Sequence, residues 1–305
     1  MKDLQSRLLI AGIGIPLLIL LIITGGMWFT GIIVIISAVS LWEFYSLCRH
    51  KGMEPFAGLG VITGIIFQLA FWYFLSSNAL FEFLLVALIL IISYIILLLT
   101  FQILSKRHGP ITLLGATLLG NFYITGLFSC LIAIRNFDSI LNTIDRQAAS
   151  FLILHMNRTD YILMMNSNHW GYFVLCVFIA VWLCDTAAYF IGKNFGKHKL
   201  APRISPKKTI EGFIAGIAGS IIGFAVSAWI TIPFIHVFEY SILIGIIIGL
   251  AGQVGDLAES QFKRDAQVKD SGRTLLGHGG FLDRFDSILF VFPAILIYFM
   301  LKLFL

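Results

Sequence analysis

Charge is what this chain has least of: Asp, Glu, Lys and Arg make up 12% of its 305 residues, hydrophobic residues make up 59%, and mean hydropathy is +0.94. A water-soluble core of this size needs no such excess, so the soluble globular classes are excluded. Cysteine is sparse as well. Cys48, Cys130, Cys176 and Cys184 lie scattered within or beside apolar runs, without metal-ligand spacing, which argues against both disulfides and a zinc site. The long runs show no polar–apolar alternation, so a membrane barrel is excluded too. No internal repeat stands out, and no low-complexity linker divides the chain. The first run follows Lys2 and Arg7, yet no small-residue cleavage site leads into a soluble mature chain, so it reads as a retained helix rather than a leader.

What is present is a succession of runs long enough to cross a hydrocarbon layer, about 20 residues at helical rise. They fall at 8–24, 27–47, 57–75, 80–104, 111–134, 171–192, 211–233, 238–258 and 286–304. The fold class is therefore an all-α integral membrane protein, a polytopic bundle of about nine transmembrane helices with cytoplasmic catalytic loops. We treat it as one polytopic membrane domain. Residues 1–135 form scaffold helices poor in polar groups, and 171–305 form a catalytic half in which apolar helices alternate with glycine-rich, charged connections.

Nine crossings with a cytoplasmic N-terminus put all but Arg135, Arg146, Arg158 and Lys302 of the 21 Lys and Arg residues on the cytoplasmic side. Both loops rich in charge, 193–210 and 259–285, fall on that side. The stretch 135–170 lies on the far side; it is amphipathic and is assigned no role.

Two tracts bear chemistry. In the first, Asp185, Tyr189 and Gly192 share one face near the cytoplasmic end of a helix. An intramembrane aspartate is expensive and points at a partner, a metal or a water-filled cavity; pairing with a neighbouring lysine is the plain alternative. Beyond it, Gly192 and Gly196 allow close backbone approach to an anion, while Lys193, Lys197, Lys199, Lys207 and Lys208 supply charge suited to phosphate. The same lysines would serve topology or anionic headgroups. Thr209 and Glu211 fit a helix cap and a first-turn acid.

In the second tract, Asp256, Glu259, Ser260 and Lys263 fall at i, i+3, i+4 and i+7, one polar stripe if the eighth helix persists that far. Its hard oxygen donors suit magnesium with phosphate ligands. Asp283 and Asp286 stand three apart around Arg284 at the start of the last helix, placed to face that stripe and complete a metal cradle. The turn His278-Gly279-Gly280 exposes backbone donors, although a histidine satisfied by its own turn explains His278 equally well.

From Ser260 through Phe262, Lys263-Arg264, Lys269-Asp270, Gly272, Leu275, His278-Gly279-Gly280, Phe281, Asp283-Arg284, Phe285 and Asp286, the second tract resembles the signature of phosphatidate cytidylyltransferases, or CDP-diglyceride synthases. Leu276 departs from it, standing where the family has proline or glycine. Asp185-Thr186, Tyr189, Gly192-Lys193, Gly196-Lys197, Ser205-Pro206-Lys207-Lys208-Thr209 and Glu211-Gly212 are similar to a second tract of those enzymes, and Trp42-Glu43-Phe44 also fits their pattern.

The resemblance implies transfer of the cytidylyl group of CTP to phosphatidate, giving CDP-diacylglycerol and pyrophosphate. The site would lie on the cytoplasmic face of the inner membrane, in contact with membrane lipids and with no nucleic-acid partner. Asp256, Asp283, Lys263, Arg264 and His278 are the expected catalytic residues. Asp185, Tyr189, Lys193, Lys197, Ser205, Lys207, Lys208, Glu211, Ser260, Lys269, Gly279, Gly280 and Arg284 are expected to bind substrate. Asp256 and Asp283, backed by Glu259 and Asp286, are expected to hold Mg2+. A second, monovalent cation and a homodimer are family precedents that no residue pattern here reveals. Two other classes fit the residues less well. A secondary transporter would set its ionisable groups near the midplane rather than at one face, and a CTP-dependent lipid kinase would leave CDP instead of pyrophosphate. A CDP-alcohol phosphotransferase needs an Asp-Gly-x-x-Ala-Arg tract that Asp185-Thr-Ala-Ala-Tyr189 does not supply.

Overall fold

In the computed structural model the backbone is described for residues 2–105, 107–143, 167–231, 237–272, 274 and 279–304. The helices are α1 (Lys2–Thr24), α2 (Gly26–His50), α3 (Ala57–Ser76), α4 (Leu80–Ser105), α5 (Pro110–Gly120), α6 (Leu127–Arg135), α7 (Phe137–Thr143), α8 (Ser167–Phe195), α9 (Ile210–Thr231), α10 (Val237–Asp265) and α11 (Leu282–Phe304). Between α5 and α6 the backbone widens into a π-helical segment, Asn121–Gly126, so the three form one span, Pro110–Arg135.

Among the described residues eight helices are long and apolar enough to cross a membrane, and the apolar part of α1, Gly12–Thr24, is a shorter ninth candidate. These match the nine expected runs one for one. Several helix ends lie beyond the apolar runs, two of them beside the charged tracts. α10 continues past 258 to Asp265, and α11 begins at Leu282 rather than 286, because backbone hydrogen bonding carries a helix past the point where its side chains turn polar. Among the described residues the one sheet is a two-stranded antiparallel hairpin, β1 (Lys199–Ala201) with β2 (Ser205–Thr209), in a segment expected to be loop.

Packing is densest among α8, α9, α10 and α11, which pair in sequence order. Small residues permit this. A Cβ on Gly212 would lie 2.7 Å from the Ala188 carbonyl of α8, and one on Gly249 would lie 2.8 Å from the Ile217 Cα of α9. Such close backbone approach supplies dispersion contacts where lipid offers no hydrophobic driving force. By contrast α4 presents Leu85, Ile89, Ile92, Ile96 and Ile103 outward, as a lipid-facing helix should. All four cysteines are free thiols within the helices.

At the far end of the molecule buried Arg135 donates to the carbonyls of Ile22 (2.8 Å) and Ile23 (3.0 Å), covering the exposed C-terminal acceptors of α1. At the opposite end the Lys51 ammonium pairs with Asp265, so α2 and α10 finish on the same face as the charged tracts.

Candidate active site

The site is built where α8, α10 and α11 end or begin together with β2. α10 remains helical through Asp265, so Asp256, Glu259, Ser260 and Lys263 do form one stripe. Gly255 lets α11 close on it: a Cβ there would lie 2.5 Å from the Asp286 carbonyl oxygen. That approach sets the first turn of α11 beside the stripe.

The acids divide into two groups. In the first, Lys208 reaches from β2 to within 2.7 Å of an Asp256 oxygen, and the Ser260 hydroxyl donates to the other oxygen at 3.3 Å. Asp185 from α8 and Asp286 from α11 both feel the Asp256 charge, and Asp286 also feels Asp185. Three carboxylates from three helices thus repel one another, with Lys208 seated on Asp256. Such repulsion is relieved by a cation or by protonation.

In the second group Lys263 stands between two acids. Its ammonium pairs with fully buried Glu259 and lies 2.7 Å from Asp283. The other Asp283 oxygen accepts from the Ser271 backbone N–H (2.9 Å), the Ser271 hydroxyl (2.9 Å) and the Gly280 N–H (2.8 Å). Both Asp283 oxygens are therefore engaged within the protein, and the residue ties the glycine-rich loop to α10. Among the described residues no three His, Cys, Asp or Glu side chains converge tightly enough to hold a metal ion unaided. Glu259 and Asp283 are joined to Lys263 and Asp256 to Lys208, while Asp286 lies between the two groups.

A model of the cytidylyltransferase family matches residues 5–304. This chain belongs to the cytidylyltransferase family. Over its whole length, and the whole length of the relative, it is 37% identical to the phosphatidate cytidylyltransferase of Bacillus subtilis (strain 168). It is 50% identical to those of Staphylococcus aureus (strain COL) and Staphylococcus saprophyticus across 41% of this chain and 47% of theirs.

In this cytidylyltransferase the remaining expected residues lie around the two acid groups with different exposure. Neighbouring strand residues point to opposite faces, so Lys208 reaches Asp256 while Lys207 is exposed. Lys193, Lys197, Lys269 and Arg284 are exposed around the same end, and exposed Tyr189 lies under the Lys193 ammonium at 5.7 Å. Ser205 opens β2 opposite Ala201. The Arg264 guanidinium donates to the Ile204 carbonyl at 3.2 Å, locking the hairpin turn to α10. Glu211 accepts from the His198 backbone and lies 2.6 Å from its ring Nδ1, bracing the turn that leaves α8. Thr209 caps α9 through the Gly212 N–H at 3.2 Å. Gly279 takes φ +79°, and Gly280 offers its N–H to Asp283. His278 lies outside the described residues.

Two contributors from the first half were not among the expected site residues. Glu43 of α2 is 2% exposed and accepts from the Phe281 N–H (3.1 Å), the Leu282 N–H (2.9 Å), the Ser271 hydroxyl (3.3 Å) and the Thr274 hydroxyl. Tyr123 of the π-helical segment packs between Phe44, Phe262 and Phe290 and lies in the field of Glu259 and Asp286. Glu43 could have been flagged as an acid within an apolar run. Nothing in sequence could have flagged Tyr123, one aromatic among many.

Proposed function

We propose that this chain transfers the cytidylyl group of CTP to phosphatidate, giving CDP-diacylglycerol and pyrophosphate, at a site that faces the cytoplasm of a bacterial inner membrane. One observation carries the reading: Lys208 of β2 meets Asp256 of α10 at 2.7 Å, where Gly255 brings the first turn of α11 alongside, at one end of the helix bundle beside a basic rim. Family membership and the full-length relative named phosphatidate cytidylyltransferase support the same reaction.

The chemistry needs no dedicated general base. A phosphate monoester is largely dianionic near neutral pH, its second pKa being about 6. Its oxygen can attack the α-phosphorus of CTP directly, with pyrophosphate leaving in line. The obstacle is bringing two polyanions together, and the protein answers it with placed positive charge. Lys208 and Lys263 stand inside the site, with exposed Lys193, Lys197, Lys207, Arg264 and Lys269 around it.

A divalent cation fits the first acid group. Lys208 already seats one positive charge on Asp256, and the donors are hard carboxylate oxygens. Mg2+ is commonly held by one or two carboxylates plus substrate phosphates, so a three-residue cage is unnecessary. Asp256, with Asp286 and Asp185 beside it, would hold the ion, which would neutralise charge on the nucleotide phosphates. Asp283 holds Lys263 and the glycine loop in register with them. The orientation rests on the excess of Lys and Arg at this end. Arg135 lies at the opposite end, against the last turn of α1.

The test is incubation of detergent-purified protein with phosphatidate, Mg2+ and CTP labelled on the α-phosphate. Label passes into lipid as pyrophosphate appears. Release of labelled CDP, with the lipid left unlabelled, would make the enzyme a kinase and overturn the reading.

A further inference from the structure

We infer that Glu43 is a positioning residue through which the first half of the chain sets the geometry of the loop at the active site. The inference deepens the proposed function, because it rests on that reading for what the loop handles. Its geometry stands independently.

Three donors converge on this one carboxylate, two backbone N–H groups at the start of α11 and the Thr274 hydroxyl, and the Ser271 hydroxyl, whose single hydrogen Glu43 shares with Asp283, completes the set. An ionised carboxylate has about four acceptor sites and no hydrogen to offer, which matches this set. The residue is 2% exposed, about two turns before the end of apolar α2, a place where a charge survives only when hydrogen-bonded and compensated. The N-terminus of α11 supplies that compensation through its unpaired N–H groups and its dipole.

The glycines of the loop are shaped to this group. A Cβ on Gly272 would lie 2.5 Å from one Glu43 oxygen, and a Cβ on Gly280 would strike the other. Both glycines are therefore required for the loop to close over the carboxylate.

The consequence for the site follows from Ser271. Its hydroxyl lies 2.9 Å from Asp283 and 3.3 Å from Glu43, so two acids from helices distant in sequence grip the same loop from two sides. Asp283 in turn holds Lys263, which pairs with Glu259. A linked series of contacts thus runs from α2 through the loop to the charged residues of α10. Loosening Glu43 frees one side of the loop and lets Asp283 and Lys263 turn from their present directions.

Glu43→Gln tests this in the full-length, detergent-purified protein. The substitution keeps size but places an NH2 donor against the loop's own donors. We expect KM for CTP to rise at least tenfold while KM for phosphatidate stays within twofold. We also expect trypsin to cut between Arg264 and Arg284 at least tenfold faster, with the rest of the digestion pattern unchanged. An unaltered KM for CTP would overturn the inference. So would an unchanged cleavage rate. If wild-type protein fails to turn over CTP, the proposed function fails, while the trypsin comparison still decides the role of Glu43. If Glu43→Gln does not fold, Thr274→Val removes one donor only; it should shift CTP KM and cleavage about threefold in the same directions, and no shift would overturn the inference.

Discussion

Lys208 and Asp256, joined at 2.7 Å, connect the short hairpin after α8 to the stripe on α10, two tracts that lie far apart in the chain. Without that ion pair the hairpin would be a basic surface loop. With it, a lysine projects into the midst of three carboxylates, half-buried and ready to meet a phosphate or a cation-bound nucleotide.

Lys208→Met should lower kcat/KM for CTP by roughly 10², within the range seen when one preorganised donor is removed from a site of developing charge. Lys207→Met, on the opposite face of the strand, should cost far less, and its effect should shrink as salt screens the rim. Steady-state kinetics of both variants at low and high ionic strength check this. Equal losses would mean that the strand presents both lysines to substrate.

Asp283→Asn should abolish turnover with the protein still folded and inserted. The amide can satisfy either Lys263 or the loop donors, not both, because its nitrogen cannot accept. Activity is measured by label transfer, and folding by gel filtration in detergent and by helical content. Retention of more than a tenth of wild-type activity would contradict the role given to Asp283.

Lys263→Met removes the shared counter-ion of fully buried Glu259 and partly buried Asp283. Breaking a buried pair by deleting one partner costs about 3–5 kcal/mol, since a charge is left uncompensated. A clear fall in thermal stability in detergent is expected. The double variant with Glu259→Leu should recover much of it without recovering activity.

Chelation of divalent metal should stop the reaction, and added Mg2+ should restore it. Asp256→Asn should raise the Mg2+ concentration needed for half-maximal rate at least tenfold, whereas Glu259→Gln should shift it less, because Glu259 faces Lys263. Metal titrations of the two variants compare them directly.

The stripe Asp256, Glu259, Ser260, Lys263 was legible in the sequence because helical periodicity places i, i+3, i+4 and i+7 together. So was the lipid-facing character of α4, whose apolar run has no polar face. The grouping of the acids was not legible. Spacing put Asp256, Glu259, Asp283 and Asp286 in one cradle, while the fold sets Lys263 between Glu259 and Asp283 and gives Asp256 to Lys208. Which carboxylate meets which lysine depends on helix rotation and on how closely Gly255 lets α11 approach, neither of which a linear pattern records. Glu43 escaped the expected site for a related reason: its partners lie 228 to 239 residues away, and only packing brings them to it.

Composition and periodicity by themselves determined that the chain is a helical membrane protein with its charged tracts gathered at helix ends, because hydrocarbon tolerates only self-satisfied backbone and rejects lone charge. The order of residues in those tracts also pointed to the cytidylyltransferase chemistry. Tertiary structure alone decided that the first half supplies Glu43 to the site and that Lys208 meets Asp256 while Lys263 meets Glu259 and Asp283. Hydrogen bonds and ion pairs act over about 3 Å, and a sequence states distances along the chain rather than across it.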